Sequence, residues 1–349
     1  MKKYLSVPVR AIATLLVFFS LSIGVLAAPD FEKAEKSKNN TSVETVYPGG
    51  MPFGIKLYTE GLLVVELSEV ECDSGTVSPA AEAGIKAGDV IICVNGKKIT
   101  TAEELVSQIE KSHEKLEITY LRDKKEYTVN IKPCLSKDDG KYRTGMWLRD
   151  STAGIGTVTY IVPESGEFAG LGHGICDPES GEPVKFIRGI ANNVKISGVK
   201  RGDAGAPGEL KGYFTDLGTG VILKNTNCGI FGIFNKESAY ENCQNKISVG
   251  KRSDIKLGDA EIISTVDEKG PEKYKIEITE LSDSDKTVNF GIRVTDEALI
   301  EKTGGIVQGM SGSPIIQNGK LVGAVTHVLI NDPLCGYGIY IESMLGAAV

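Results

Sequence analysis

The sequence of 349 residues lacks the features that several large classes of protein need. It contains one tryptophan and three histidines, and none of its seven cysteines stands in a Cys-x-x-Cys pair. Clustered cysteines and histidines are the usual signature of zinc and redox sites, so we expect neither. Phosphate-binding glycine loops and dinucleotide-binding fingerprints are missing too. The sequence therefore predicts a protein with no metal and no cofactor.

Positive charge is also scarce. The 39 lysines and arginines are outnumbered by 46 acidic residues, which gives a net charge of −7. Nucleic-acid binding requires a basic face that neutralises phosphates, so nucleic acid is not expected as the main partner. The 41 glycines and 41% hydrophobic residues favour a globular chain of short strands and many turns. Its length is sufficient for two domains.

Residues 1–28 have the pattern of a targeting segment. Basic residues precede an apolar run over residues 11–28, as is typical of a signal peptide. The run is about 18 residues long, which is also the lower limit for a membrane span. A cleaved signal peptide and a retained membrane anchor both stay open, and in either case the remainder is expected to cross a membrane. Residues 29–45 are polar and aperiodic, which predicts a linker.

Residues 46–133 follow a compact order of strands and helices. A capping box formed by Thr101 and Glu104 predicts the start of an amphipathic helix. Together with the loop Phe53-Gly54-Ile55, the run over residues 83–91 and the turn Asn95-Gly96, this order resembles a PDZ domain of the bacterial protease-associated type. We therefore interpret residues 46–133 as an α+β PDZ domain.

The resemblance implies a site for peptides at the first of these segments. Backbone N–H groups at Phe53, Gly54 and Ile55 would hold a terminal carboxylate, and an extended peptide would add as a strand beside the helix that begins after Thr101. Peptide termini and internal segments are both expected ligands. The alternative is that the glycines only form turns.

A charged connector at residues 134–144 precedes a second region, residues 145–349. This region contains many short β segments separated by turns, which favours an antiparallel barrel or sandwich. About 200 residues suit two small packed barrels. Cys228 and Cys243 could bridge a hairpin, although spacing alone does not determine pairing. The predicted fold is therefore mainly β, with a PDZ domain followed by a chymotrypsin-like double β-barrel at residues 145–349.

The segment Gly309-Met310-Ser311-Gly312-Ser313-Pro314 has the form in which a trypsin-like peptidase presents its nucleophile. The glycines permit a tight turn that exposes the Ser311 hydroxyl. The same turn lets the N–H groups of Gly309 and Ser311 converge on a developing oxyanion. Ser313 also carries a hydroxyl, but two residues further on we expect it to point elsewhere.

A nucleophilic serine needs a base and an orienting acid. His173 lies in a glycine-lined turn, whereas His327 lies on a predicted strand after the serine, so His173 is the preferred base and His327 the alternative. Asp296 follows a predicted strand shortly before Ser311. Position alone leaves other acids open, among them Asp177, Asp203, Asp216, Asp254 and Asp259.

These segments resemble the SpoIVB peptidase family of spore-forming bacteria. The resemblance covers Gly172–Ile175, Val294–Asp296 and residues 303–315, 325–328 and 336–339. The order of membrane segment, PDZ domain and serine peptidase covers essentially the whole chain. It implies a triad in which His173 is the base, Asp296 the orienting acid and Ser311 the nucleophile.

The same resemblance implies a sporulation signalling endopeptidase. Such a protein would be exported from the forespore into the space between the forespore membranes, anchored there or released after cleavage of its N-terminal segment. It would cleave itself and a membrane-bound regulator of a sigma-factor processing complex. The alternative is a PDZ adaptor with an inactive, protease-like binding domain. The retained residues His173, Asp296 and Ser311 argue against that alternative, and the PDZ-first order argues against a degradative envelope protease.

Overall fold

The computed structural model describes residues 43–163, 165–177, 180–215, 218–235, 245–282 and 289–348. Within these ranges the chain forms strands with few helices. The strands are β1 (Thr45–Pro48), β2 (Pro52–Leu67), β3 (Val70–Cys72), β4 (Gly75–Val77), β5 (Val90–Val94), β6 (Lys97–Lys98), β7 (Leu116–Arg122), β8 (Lys125–Ile131), β9 (Cys134–Leu135), β10 (Tyr142–Arg143), β11 (Met146–Ile161), β12 (Glu167–Gly170), β13 (Arg188–Lys200), β14 (Glu209–Phe214), β15 (Gly220–Thr226), β16 (Gly229–Phe234), β17 (Ile247–Val249), β18 (Gly258–Ser264), β19 (Glu272–Leu281), β20 (Phe290–Val294), β21 (Pro314–Gln317), β22 (Lys320–Leu329) and β23 (Asp332–Tyr340).

Four α-helices and one 3₁₀ turn complete the described elements. They are α1 (Pro79–Glu82), α2 (Ala102–Lys111), the 3₁₀ turn Arg252–Asp254, α3 (Glu297–Thr303) and α4 (Ile341–Ala348). The predicted capping box of α2 is present, because the Thr101 hydroxyl accepts from the Glu104 N–H and the Glu104 carboxylate accepts from the Thr101 N–H. None of the helices in the described ranges is both long and apolar enough to span a bilayer.

Six strands close a first barrel. They pair in the order β2, β11, β12, β16, β15 and β13, and β13 pairs again with β2. Alternate side chains of these strands point inward and are buried, among them Phe53, Ile55 and Phe168. The Phe168 ring stacks on Phe234 with ring centroids 4.0 Å apart. Within the barrel, each of the six strands therefore has a neighbour on both sides.

A second barrel closes in the same way. Its order is β18, β19, β20, β23, β22 and β21, and β21 pairs again with β18. The two barrels are joined by β1, which pairs with β11, and by β17, which pairs with both β1 and β22. Buried residues from both barrels, including Tyr160, Phe231 and Ile263, pack in one cluster with Met344 of α4. The predicted double β-barrel is confirmed.

The PDZ domain is inserted into the first barrel. β2 and β11 are each 16 residues long and belong to both units. The first half of β2 pairs with β13 in the barrel, whereas Leu62 in its second half pairs with Ile91 of β5. The PDZ sheet continues from β5 to β7 and β8. The structure therefore differs from the sequence-based boundaries, which placed residues 46–58 in the PDZ domain and began the peptidase domain at residue 145.

The predicted peptide site at Phe53, Gly54 and Ile55 is wrong. These residues lie in the barrel half of β2, where Gly54 is opposite Ile155 of β11 on one side and Asn192 of β13 on the other. Phe53 and Ile55 are buried in the barrel core. A strand that is paired on both sides has no free backbone groups with which to hold a peptide terminus.

A disulfide and an ion pair stabilise the PDZ domain. Cys72 of β3 and Cys134 of β9 form the disulfide, a pairing that the sequence did not reveal. The buried Asp89 carboxylate lies 2.7 Å from the Arg122 guanidinium. The possible bridge between Cys228 and Cys243 is not tested, because Cys243 lies outside the described ranges. The predicted targeting segment, residues 1–28, also lies outside them.

Candidate active site

The turn around Ser311 lies between α3 and β21, at the junction of the two barrels. Gly309 and Gly312 have φ angles of +99° and +96°, which side chains tolerate poorly. A Cβ atom on Gly312 would lie 2.0 Å from the Thr157 carbonyl oxygen and 2.4 Å from the Leu171 nitrogen. Glycine at position 312 is therefore required both by its conformation and by the close approach of the first barrel.

The backbone N–H groups of this turn divide into two sets. The N–H of Met310 donates to the Val307 carbonyl at 3.1 Å, and the N–H of Gly312 donates to the Val325 carbonyl at 2.7 Å. The N–H groups of Gly309 and Ser311 have no hydrogen-bond partner within the described part of the chain. These two are the groups predicted to bind an oxyanion, and they remain available for that role.

His173 follows β12, and its loop packs against the second barrel. A Cβ on Gly172 would lie 3.0 Å from Thr326 Cγ2, so glycine at this position allows the loop to approach β22. The imidazole Nδ1 lies 2.9 Å from the carbonyl oxygen of Gly174. The rings of His173 and His327 have centroids 4.9 Å apart. Both candidate bases therefore lie at one site.

The Ser311 hydroxyl lies at the same site and donates to the Thr326 carbonyl oxygen at 2.6 Å. That carbonyl immediately precedes His327 on β22. Between the described atoms of Ser311 and His173 there is no hydrogen bond. The structure thus brings the predicted nucleophile and the two histidines together, with the hydroxyl directed to the main chain.

Asn225 holds the loop that carries His173, a role that the sequence did not reveal. Its Oδ1 accepts from the Ile175 N–H at 2.9 Å, and its Nδ2 donates to the carbonyls of Ile175 at 2.8 Å and Val184 at 3.0 Å. In the sequence, Asn225-Thr226-Asn227 indicates only a turn. Because its three partners lie 41 to 50 residues away along the chain, local pattern could not reveal the contact.

Asp296 occupies the N-cap of α3. Its Oδ1 accepts from the Leu299 N–H at 3.1 Å and its Oδ2 accepts from the Lys275 N–H at 3.2 Å. Among the described contacts, none joins this carboxylate to His173. The structure therefore explains Asp296 as a helix cap, and its role as the orienting acid stays a prediction.

The pKa of both histidines is lowered. Burial lowers the pKa of His173, and its contact with the Gly174 carbonyl opposes that effect only in part. Burial also lowers the pKa of His327, and the nearby His173 lowers it further. Among the described residues, no three histidine, cysteine or carboxylate side chains lie close enough together to hold a metal ion.

The lowered pKa of His173 predicts the pH dependence of catalysis. A general base must be neutral, and a lowered pKa keeps the imidazole neutral at more acidic pH. We expect kcat/KM for a peptide substrate to fall as the pH is lowered, with its midpoint at a pH below the ordinary histidine pKa of about 6.5. A pH series of kcat/KM measures this midpoint, and a midpoint at or above the ordinary value would contradict a desolvated His173 as the base.

Sequence comparisons identify two domains. The profile of the family described as SpoIVB peptidase S55 matches residues 140–345, more than half of the chain, and the PDZ domain profile matches residues 59–132. The regulator of sigma-W protease RasP of Bacillus subtilis (strain 168) is 36% identical over 67 residues, which are 19% of this chain and 16% of that protein. A probable periplasmic serine endoprotease, DegP-like, of Bartonella henselae is 36% identical over 118 residues, 32% of this chain and 23% of that protein. The chain spans less than a quarter of the length of either relative.

Two solved structures are similar to parts of this chain. The Rv3671c protease from M. tuberculosis in its active form is 16% identical, with a TM-score of 0.32, and the match covers 56% of this chain and 72% of that chain. The PDZ domain of the SdrC-like protein from Listeria monocytogenes is 26% identical, with a TM-score of 0.21, over 26% of this chain and 90% of that chain.

Proposed function

The chain belongs to the SpoIVB peptidase S55 family and is a serine peptidase with a PDZ domain, and from this premise we propose that it is an endopeptidase of sporulation signalling. The turn at Ser311 is the observation that supports peptide hydrolysis by this chain. The N–H groups of Gly309 and Ser311, which have no partner among the described residues, lie beside a serine hydroxyl at the site that His173 shares.

The proposed mechanism uses these groups in sequence. The Ser311 hydroxyl leaves the Thr326 carbonyl, transfers its proton to His173 and attacks the peptide carbonyl carbon. The N–H groups of Gly309 and Ser311 stabilise the oxyanion that forms. His173 then gives the proton to the leaving amine, and water hydrolyses the acyl-enzyme in the same way.

Asp296 is proposed as the orienting acid on the family resemblance alone. To reach His173, its carboxylate would have to leave the N–H groups of Leu299 and Lys275. Ser311 likewise would have to leave Thr326. Two members of the proposed triad are therefore engaged with the main chain, which favours a resting arrangement that substrate or a partner converts to an active one.

We propose that the chain cleaves two kinds of substrate, namely a second copy of itself and a membrane-bound regulator of a sigma-factor processing complex. Both proposals rest on what the membership of the SpoIVB peptidase family implies. On the same ground we propose export into the space between the forespore membranes. The disulfide between Cys72 and Cys134 supports export, because disulfides persist mainly outside the cytosol.

Self-cleavage has a direct test. The full chain with Ser311→Ala is incubated as substrate with a small amount of the wild-type chain, and new N-termini are sequenced. The proposal expects cleavage of the variant at defined sites, and no cleavage when the enzyme added is also Ser311→Ala. A well-folded wild-type chain that cleaves neither itself nor any peptide would instead favour the adaptor.

We place the peptide-binding surface of the PDZ domain at the start of β11. Within the described structure, residues Met146–Arg149 pair on one side only, with β2. Helix α2 lies next to them, since the Ala102 N–H donates to the Asp150 carboxylate at 3.3 Å. Trp147 of β11 and Val106 of α2 are 62% and 44% exposed. An unpaired strand edge beside a helix with an exposed apolar residue suits an extended apolar peptide.

Val106 offers a test of this surface. It lies one turn after Ala102 on the same face of α2 and is exposed, so Val106→Asp should not impair folding. We expect it to weaken binding of a peptide with an apolar C-terminus by about tenfold or more, because a charge would be buried in the complex. Calorimetric titration measures the affinity, with Val221→Asp on the peptidase barrel as control. Equal peptide affinities for Val106→Asp and Val221→Asp would contradict a binding surface formed by β11 and α2.

A further inference from the structure

We propose that Thr157 of β11 is a positioning residue that holds the nucleophile turn in the conformation that forms the oxyanion site. The proposal rests on the proposed peptidase function. Thr157 is buried, with 1% of its surface exposed, and it lies on the strand of the first barrel that meets the turn. No sequence motif pointed to it.

Thr157 makes two hydrogen bonds to the turn. Its hydroxyl donates to the Gly309 carbonyl oxygen at 2.8 Å, and its backbone N–H donates to the Ser311 carbonyl oxygen at 2.9 Å. The side chain therefore holds the peptide group that follows Gly309, and the main chain holds the one that follows Ser311. Both partners lie more than 150 residues further along the chain.

The remaining carbonyls of the turn are held as well. The Gln308 carbonyl accepts from the Leu210 N–H at 2.8 Å. The Met310 carbonyl accepts from the Ser313 hydroxyl at 2.7 Å and from its N–H at 2.9 Å. In a trans peptide group the N–H points opposite to the carbonyl. Holding the carbonyls of Gln308 and Met310 thus directs the N–H groups of Gly309 and Ser311 to the opposite side.

Gly309 is the weak point of this arrangement. Glycine has the widest conformational freedom, and Gly309 has a φ of +99°. The peptide group before it is held by the Leu210 main chain. The peptide group after it is held at its N–H by the Val307 carbonyl and at its carbonyl oxygen by a side chain, the Thr157 hydroxyl. Without that hydroxyl, the peptide group between Gly309 and Met310 loses a hydrogen bond in a buried site. The Leu210 main chain still holds the peptide group that carries the Gly309 N–H. The expected effect is therefore a change in the ψ angle of Gly309, which moves the Ser311 N–H away from its position beside the Gly309 N–H.

Three variants test the role of the hydroxyl. Thr157→Val keeps the shape and removes the donor, whereas Thr157→Ser keeps the donor. Thr159→Val is the matched control, because the buried Thr159 hydroxyl donates to the Gly312 carbonyl at 2.8 Å, beyond the nucleophile. We expect Thr157→Val to lower kcat by about 10- to 100-fold with KM within about threefold, less than the loss of a whole oxyanion donor. Thr157→Ser should restore most of the rate, and Thr159→Val should remain within about threefold of the wild type.

A second measurement does not depend on activity. Hydrogen–deuterium exchange of a peptic fragment that contains residues 305–313 should be faster in Thr157→Val than in the wild type or in Thr157→Ser. Equal kcat and equal exchange in Thr157→Val and the wild type would overturn the proposal. So would equal losses in Thr157→Val and Thr159→Val, because they would indicate a general packing effect. A wild-type chain without hydrolysis would refute the proposed function, and the exchange comparison would still decide whether Thr157 holds the turn.

Discussion

Replacement of Ser311 or of His173 by alanine is expected to lower kcat for peptide hydrolysis by about 10⁴- to 10⁶-fold, with the folded structure retained. Ser311 supplies the oxygen that forms the acyl bond, and His173 accepts its proton, so neither role has a substitute within the turn. Both variants should lose almost the same factor. Residues that act as one unit do not contribute additively, so the double variant should be no slower than either single one.

Steady-state hydrolysis of a peptide substrate by the purified full chain measures these losses, and circular dichroism checks the fold. His327→Ala is the informative comparison, since its ring lies next to that of His173 and it was the alternative base. We expect it to retain far more activity than His173→Ala. The reverse order would transfer the role of base to His327.

Asp296→Asn is expected to lower kcat by about 10⁴-fold if the proposed triad assembles, because an amide in place of the acid stabilises the wrong imidazole tautomer. Stability should hardly change. Asparagine is as good an N-cap as aspartate, so its single oxygen can keep the hydrogen bond from Leu299. The Lys275 N–H loses its acceptor, but this contact is exposed and water can replace it. The substitution thus separates the catalytic role that the sequence predicts from the capping role that the structure displays.

Asp296→Ala provides the comparison. It removes both roles, so it should lose the same activity and, in addition, about 1 kcal/mol of stability from the missing cap. Thermal unfolding and kcat are measured on both variants. Full activity in Asp296→Asn would show that Asp296 only caps α3. The Gly174 carbonyl, 2.9 Å from the imidazole Nδ1, would then be sufficient to orient His173.

The nucleophile turn could be predicted from the sequence because its determinants are local. Gly309, Ser311 and Gly312 are neighbours in the chain, and the positive φ angles of both glycines are what such a motif requires. The contacts that fix the turn were not predictable in the same way. Thr157 lies in an ordinary strand pattern, and its hydroxyl finds the Gly309 carbonyl only because the two barrels pack together.

The boundaries of the PDZ domain could not be predicted from local sequence. The capping box of α2 and the turn at Asn95 and Gly96 could be predicted, but the insertion into the first barrel was missed. The reason is that Phe53, Gly54 and Ile55 were interpreted as a loop before a PDZ strand, whereas they lie inside β2, whose 16 residues belong to both units. Only the pairing of its first half with β11 and β13 shows that Phe53 and Ile55 belong to the barrel. Pairing between distant strands is not encoded in local alternation.

The two histidines illustrate an intermediate case. Each was recognised from its surroundings, and they were treated as alternatives for one role. The structure places their rings 4.9 Å apart, so both contribute to the electrostatics of the site. The glycine at position 172 makes this possible, because it allows the His173 loop to pack against Thr326 on β22.

The central claim is that Ser311 is an activated nucleophile, and labelling of the full-length chain with a fluorophosphonate tests it most directly. The adduct is located by mass spectrometry of tryptic peptides. We predict a single phosphonylated residue, Ser311, and no labelling in the His173→Ala variant. A well-folded chain that takes up no probe, or one that is labelled at another serine, would contradict the claim.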